Sequence, residues 1–81
     1  MQITVRFFAS LRQTTGISDC TLDVPDGTNL QQAVELLIAR YPSLAAHQAS
    51  WHFAVNQTYA EPDTLLKPGD IISIFPYMAG G

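Results

Sequence analysis

From Gln2 to Phe8 the chain alternates, with Ile3, Val5 and Phe7 on one parity and Gln2, Thr4, Arg6 and Phe8 on the other. A period of two predicts a half-buried strand, because successive side chains of an extended backbone point to opposite faces. Ala9 to Gly16 carries Leu11 and Arg12 and ends in Thr-Thr-Gly, which predicts a short helical turn or loop. A second strand is expected at about Asp19 to Val24, where Cys20, Leu22 and Val24 share the inward parity, and Pro25-Asp26-Gly27 follows as a turn. The period then changes: Leu30, Val34, Leu37, Ile38 and Tyr41 stand at helical spacing behind a capping box of Thr28 and Gln31. This predicts an amphipathic helix to about Arg40, stopped by Pro42, which has no amide hydrogen and restricts Tyr41 before it.

Ser43 to Ser50 reads as a connector, and Trp51 to Asn56 as a third strand with Phe53 and Val55 on one face. Asn56-Gln57 and Pro62-Asp63 bracket a short fourth segment around Tyr59, and Lys67-Pro68-Gly69-Asp70 is a turn. Ile71 to Phe75 is the last strand; its few polar residues predict a central strand covered on both faces. Two strands, a helix, a strand, a short strand and a final strand make an α+β arrangement with one main helix packed on one face of a mixed sheet. With the first two strands as a hairpin and the last beside the first, the expected architecture is a β-grasp. At 81 residues, one domain over positions 1–81 is expected, with a flexible tail at 76–81.

Charge and composition narrow the function classes. Four Lys and Arg against seven Asp and Glu give a net charge of -3, and the cations Arg6, Arg12, Arg40 and Lys67 are scattered, so no basic patch awaits a nucleic acid. The single cysteine, Cys20, cannot close an internal disulfide or supply a thiolate cluster. A reducing, cytoplasmic compartment is the natural expectation. Neither a signal-peptide apolar region nor a membrane-length apolar run occurs in the sequence. No phosphate loop, His-Glu-x-x-His or Gly-x-Ser-x-Gly motif is present either. Cys20 is expected to be a buried structural thiol, His47 and His52 solvated or capping side chains, and Asp26, Asp63 and Asp70 turn formers.

The ending Met78-Ala79-Gly80-Gly81, directly after the last strand, is the most informative feature. Glycine has no Cβ, so a Gly-Gly tail can thread a narrow channel and present its carboxylate to another protein's active site. A free carboxylate is a poor electrophile. Adenylation by an ATP-using partner would activate it, and a sulfur nucleophile could then displace AMP and leave a thiocarboxylate on Gly81. The parity of the outer strands puts Phe8 and Phe75 on the sheet face opposite the helix, with Tyr77 and Met78 extending the patch, as expected of a partner interface. Arg12 reads as a solvated loop cation ahead of a partner contact.

These residues resemble the small subunit of molybdopterin synthase, a ubiquitin-like sulfur carrier family of molybdenum cofactor biosynthesis. The resemblance covers nearly the whole chain: Val5-Arg6-Phe7-Phe8-Ala9 with Leu11-Arg12 and Thr15-Gly16, Ala54-Val55-Asn56-Gln57, Pro68-Gly69-Asp70, and Phe75-Pro76 leading to Gly80-Gly81. Tyr77-Met78 stands where the family often has a second proline and a valine. The Ala-Val-Asn and Gly-Asp blocks are shared with thiamine sulfur carriers; the Phe-Phe-Ala opening and the Phe-Pro tail distinguish the two. The resemblance implies that Gly81 is adenylated by an enzyme related to ubiquitin-activating enzymes and thiocarboxylated by a sulfurtransferase. The tail, with Gly80 giving it access, would then enter the large subunit, where sulfur attacks a cyclic pyranopterin precursor to build the dithiolene. Two small and two large subunits would form the synthase. It further implies an interface made by Phe8, Arg12, Phe75, Tyr77, Met78 and Ala79; the lone thiol, the two histidines and the turn-bound aspartates, which make neither a ligand set nor an acid–base pair, predict no metal or cofactor held by this chain and no catalysis by it alone. The alternative is a carrier for thiamine or cysteine biosynthesis or tRNA thiolation, or a ubiquitin-like modifier, since all use the same glycyl chemistry.

Overall fold

The computed structural model describes residues 1–8, 10–45 and 51–76. Its elements are β1 (Gln2–Phe7), α1 (Ser10–Thr15), β2 (Asp19–Asp23), α2 (Leu30–Arg40), β3 (Trp51–Val55), β4 (Thr58–Tyr59) and β5 (Ile71–Pro76). The strands form one five-stranded sheet in the order β2-β1-β5-β3-β4. β1 pairs antiparallel with β2 and parallel with β5, while β3 is antiparallel to both β5 and β4. This is the expected β-grasp: an opening hairpin, a helix across one face, and the last strand returning to the centre beside the first. Among the described residues no helix is long and apolar enough to cross a membrane.

The core lies between α2 and the inward parity of the central strands. Ile3, Val5 and Phe7 of β1 and Ile72 and Ile74 of β5 are almost wholly buried, against Leu30, Ala33, Val34 and Leu37 of the helix. Ile38, on the flank of that stripe, is only half-buried. Leu11 from α1 and Leu44 from a helical turn at 42–45 close the ends of the same core. Each fully buried large aliphatic side chain stabilises by roughly 1.5–3 kcal/mol, so the helix stripe alone outweighs any single polar contact in the molecule.

Three local expectations are corrected. The capping box sits one residue later than the sequence indicates: Asn29 Oδ1 accepts from the Gln32 amide at 2.9 Å, and Gln32 Oε1 accepts from the Asn29 amide at 3.0 Å. Thr28 is unavailable as the cap because it is buried and its hydroxyl donates to the Pro25 carbonyl at 2.6 Å, closing the preceding turn. The amides of Leu30 and Gln31 are satisfied by the carbonyls of Thr64 and Pro62, so a distant loop holds the helix start in that frame. At the other end the Tyr41 amide bonds the Leu37 carbonyl at 2.8 Å, directly before Pro42.

The second correction concerns β5, which is central but covered on one face only. Ile71 and Ser73 are half-buried, and Phe75 is 39% exposed on the side away from α2. Third, Cys20 is half-buried rather than buried, because β2 is an edge strand. Pro76, counted with the tail from the sequence, closes β5, and residues 77–81 lie outside the described residues.

Candidate functional site

The open face of the sheet is built from the polar parity of β1 and its partners. Register aligns Arg6 with Ser73, Ser73 with Ala54 and Ala54 with Tyr59, a row running across β1, β5, β3 and β4. Beside it runs a second row, in which His52 pairs with Phe75 and Phe8 follows directly on the Phe7–Ile74 pair. Phe8 and Phe75 therefore stack, with ring centroids 4.7 Å apart and planes 20° apart. Such a pair contributes about 0.5–1.5 kcal/mol beyond its buried area. Small Ser73 and Ala54 lie between large neighbours, and the result is an open depression of about 470 Å³ to which Phe8, Phe75, Tyr59 and Arg6 contribute walls.

A turn and a buried carboxylate hold this face in register. Val55 pairs with Thr58, leaving a two-residue hairpin loop of Asn56 and Gln57, both at positive φ (51° and 70°). That conformation matches the twist of the flanking strands, and asparagine tolerates it best among residues with a side chain. Asn56 Nδ2 donates to Asp70 Oδ1 at 2.8 Å, while Asp70 Oδ2 accepts from the Lys67 amide at 2.7 Å. Asn56 Oδ1 accepts from the Ile71 amide at 2.9 Å, and the Asn56 amide donates to the Ile71 carbonyl at 2.8 Å. Asp70 is thus more than a turn former. It is 8% exposed and ties the β3–β4 hairpin to the start of β5, which sets where Phe75 emerges.

Among the sequence-predicted site residues, the structure brings Phe8 and Phe75 together. Arg12 is exposed on α1 and does not line the depression. Tyr77, Met78, Ala79, Gly80 and Gly81 lie outside the described residues, as does His47. His52 lies in β3, within the strand expected at Trp51 to Asn56, and is exposed beside Phe75. Sequence reasoning did not bring Arg6 or Tyr59 into the site. Tyr59, 67% exposed, faces outward because the tight Asn56-Gln57 turn pairs it with Ala54. That register was the signal available in the Asn-Gln dipeptide.

The remaining candidates lie elsewhere. Cys20 is on the edge strand; burial pushes its thiol pKa up, partly opposed by the Arg40 guanidinium, while nearby Asp19 adds to the rise and a Tyr41 hydrogen bond opposes it. A raised pKa keeps the thiol protonated, which is the reverse of what a sulfur nucleophile needs. Asp26 is exposed, 3.6 Å from the N-terminal ammonium, and Asp63 is exposed in its turn. Among the described residues no group of three or more His, Cys, Asp or Glu could hold a metal ion.

A family model described as the ThiS family matches residues 5–81. The chain is 35% identical over 83 aligned positions to the molybdopterin synthase sulfur carrier subunit of Chlamydomonas reinhardtii, covering 100% of both chains. It is 36% identical to the protein of the same name from Homo sapiens, covering 99% of this chain and 94% of that one. Its fold is similar to the crystal structure of SAMP1 from Haloferax volcanii, with a TM-score of 0.90 and 20% identity over 100% of both chains. The β-grasp fold and the family match over almost the whole length of the sequence agree on one assignment: the chain belongs to the ThiS family.

Proposed function

We propose that this protein is the sulfur carrier subunit of molybdopterin synthase and that it acts by delivering a thiocarboxylate at its own C-terminus. The observation that carries this reading is full-length similarity, at 35% identity, to a molybdopterin synthase sulfur carrier subunit. The Phe8–Phe75 stack supports it, because an aromatic pair whose exposed member, Phe75, lies on the strand that leads to the tail is what a docking partner needs.

The chemistry follows from the carboxylate. In the cytoplasm, an adenylating enzyme related to ubiquitin-activating enzymes transfers AMP from ATP to the Gly81 carboxylate and releases pyrophosphate. A sulfurtransferase then supplies the nucleophile that displaces AMP, so a C–S bond replaces the C–O bond of the adenylate. The loaded tail enters the large subunit, where its sulfur displaces an oxygen substituent from a carbon of the cyclic pyranopterin precursor, the C–S bond forming as the C–O bond breaks and the oxygen leaves with a proton; water then hydrolyses the resulting thioester, leaving a thiol on the pterin and returning Gly81 as a carboxylate.

The part played by this chain is positional. Phe8 and Phe75 seat the open face on the large subunit, and the narrow Gly80-Gly81 end carries sulfur into that subunit's pocket at high effective concentration. Acid–base and substrate-binding groups come from the large subunit, and this chain holds no cofactor of its own.

The test is incubation with the activating enzyme, ATP and a sulfur donor, followed by intact-mass measurement. One terminal oxygen should exchange for sulfur, and the loaded protein should convert precursor to molybdopterin only once the large subunit is added. No exchange, or conversion by the loaded carrier alone, overturns the reading.

A further inference from the structure

The depression on the open face is asymmetric in charge. Arg6 stands at one end of the row Arg6–Ser73–Ala54–Tyr59 and lines both the aromatic depression and a second, smaller one beside Ile71 and Gln57. Its side chain is exposed, and among the described residues its guanidinium has no hydrogen-bond or ion-pair partner. Asp19, its cross-strand neighbour in register, makes no ion pair with it. In a chain of net charge -3 this unpaired cation lies at the edge of an aromatic-walled trough lined by Phe8 and Phe75.

We propose that the trough between Arg6 and Tyr59 receives a glutamate side chain of the large subunit, its aliphatic stem over Ser73 and Ala54 and its carboxylate on the Arg6 guanidinium. This rests on the large subunit being the partner of the open face. Small residues at the centre of the row leave room for an inserted side chain. Phe75 and Tyr59 exclude water from its stem, and the planar guanidinium offers the paired donors that match a carboxylate. The Ser73 hydroxyl lies in the same row as a further donor. A polyanion is disfavoured, because a single cation on an acidic protein does not offset several negative charges. Exclusion of water by the aromatic walls makes the pair stronger than an exposed surface ion pair.

The experiment measures binding of the intact chain to the purified large subunit at low and high salt. Arg6→Glu should weaken binding by about 10-fold or more at low ionic strength, with the difference shrinking at about 0.5 M salt. Arg6→Gln should lose less. Reversing one contact-surface glutamate of the large subunit to Lys should restore binding of Arg6→Glu and weaken binding of the unaltered chain. Thermal melts of both variants should match the parent, since Arg6 is exposed. If Phe75→Ala loses binding while Arg6→Glu keeps it within twofold, or if no charge reversal rescues, the trough proposal falls and the partner reading stands. If the unaltered chain does not bind the large subunit, both fall.

Discussion

Asn56 and Asp70 form a side-chain clamp, Nδ2 to Oδ1 at 2.8 Å, that joins the β3–β4 hairpin to the start of the strand carrying Phe75. Asp70 also accepts the Lys67 amide, so its carboxylate is shared between two loops while 8% exposed.

Removing that carboxylate takes away two hydrogen bonds to a charged acceptor, from the Asn56 side chain and the Lys67 amide, a cost of about 1.5–3 kcal/mol. Asp70→Ala should therefore lower the urea midpoint with the slope unchanged. Combined with Asn56→Ala it should cost less than the sum of the two single variants, because they share one network. Full additivity in the double-mutant cycle would show the clamp to be inactive.

Phe75 stacks on Phe8 at the surface and is 39% exposed. Truncation to Ala should weaken binding to the large subunit by on the order of 2 kcal/mol or more, with a smaller effect on the free protein's stability. Calorimetric titration set beside a thermal melt separates the two. The reverse ranking would mean that Phe75 serves the fold rather than an interface.

Deleting Gly81 should leave the melting temperature of the free chain unchanged and abolish sulfur loading, because the group to be activated is the terminal carboxylate. The core ends at β5, where Ile72 and Ile74 are buried. Parallel melts and intact-mass measurement after ATP and sulfur treatment decide it. Equal loss of folding and loading would count against a carrier role.

Burial raises the Cys20 pKa above its ordinary value of 9.0, so the folded state holds this proton more tightly than the unfolded state. The sign follows from linkage: the folded chain binds more protons between the two pKa values, so stability falls as pH rises through that window. Below about pH 9 the contribution is fully present; above it, it is progressively lost. Cys20→Ser should flatten the alkaline part of a stability-versus-pH curve and leave the neutral part parallel. Thiol alkylation of the folded chain at pH 8 should likewise run slower than in urea. An unaltered alkaline limb in the serine variant would show that other groups cause the loss.

Elements and faces with a local cause are legible in the amino-acid pattern alone. Alternation in Gln2 to Phe8 reports one buried side, and the Leu30, Val34 and Leu37 spacing reports a helix stripe, because periodicity records which side chains avoid water. Pro42 stops α2 through its own missing donor. Parity also put Phe8 and Phe75 on one face, since Phe75 lies in β5 and Phe8 directly follows β1, strands that the strand order made neighbours. The other placements come from long-range pairing. The cap falls on Asn29 rather than Thr28 because a loop around Pro62 to Thr64 satisfies the first helix amides. Asp70 is buried because Asn56 reaches it from another turn. Arg6 and Tyr59 share one trough because four strands bring them into a single row. Such placements depend on cross-strand register between segments far apart in the chain, and pairing sets that register, whereas the local pattern sets only which face each residue takes.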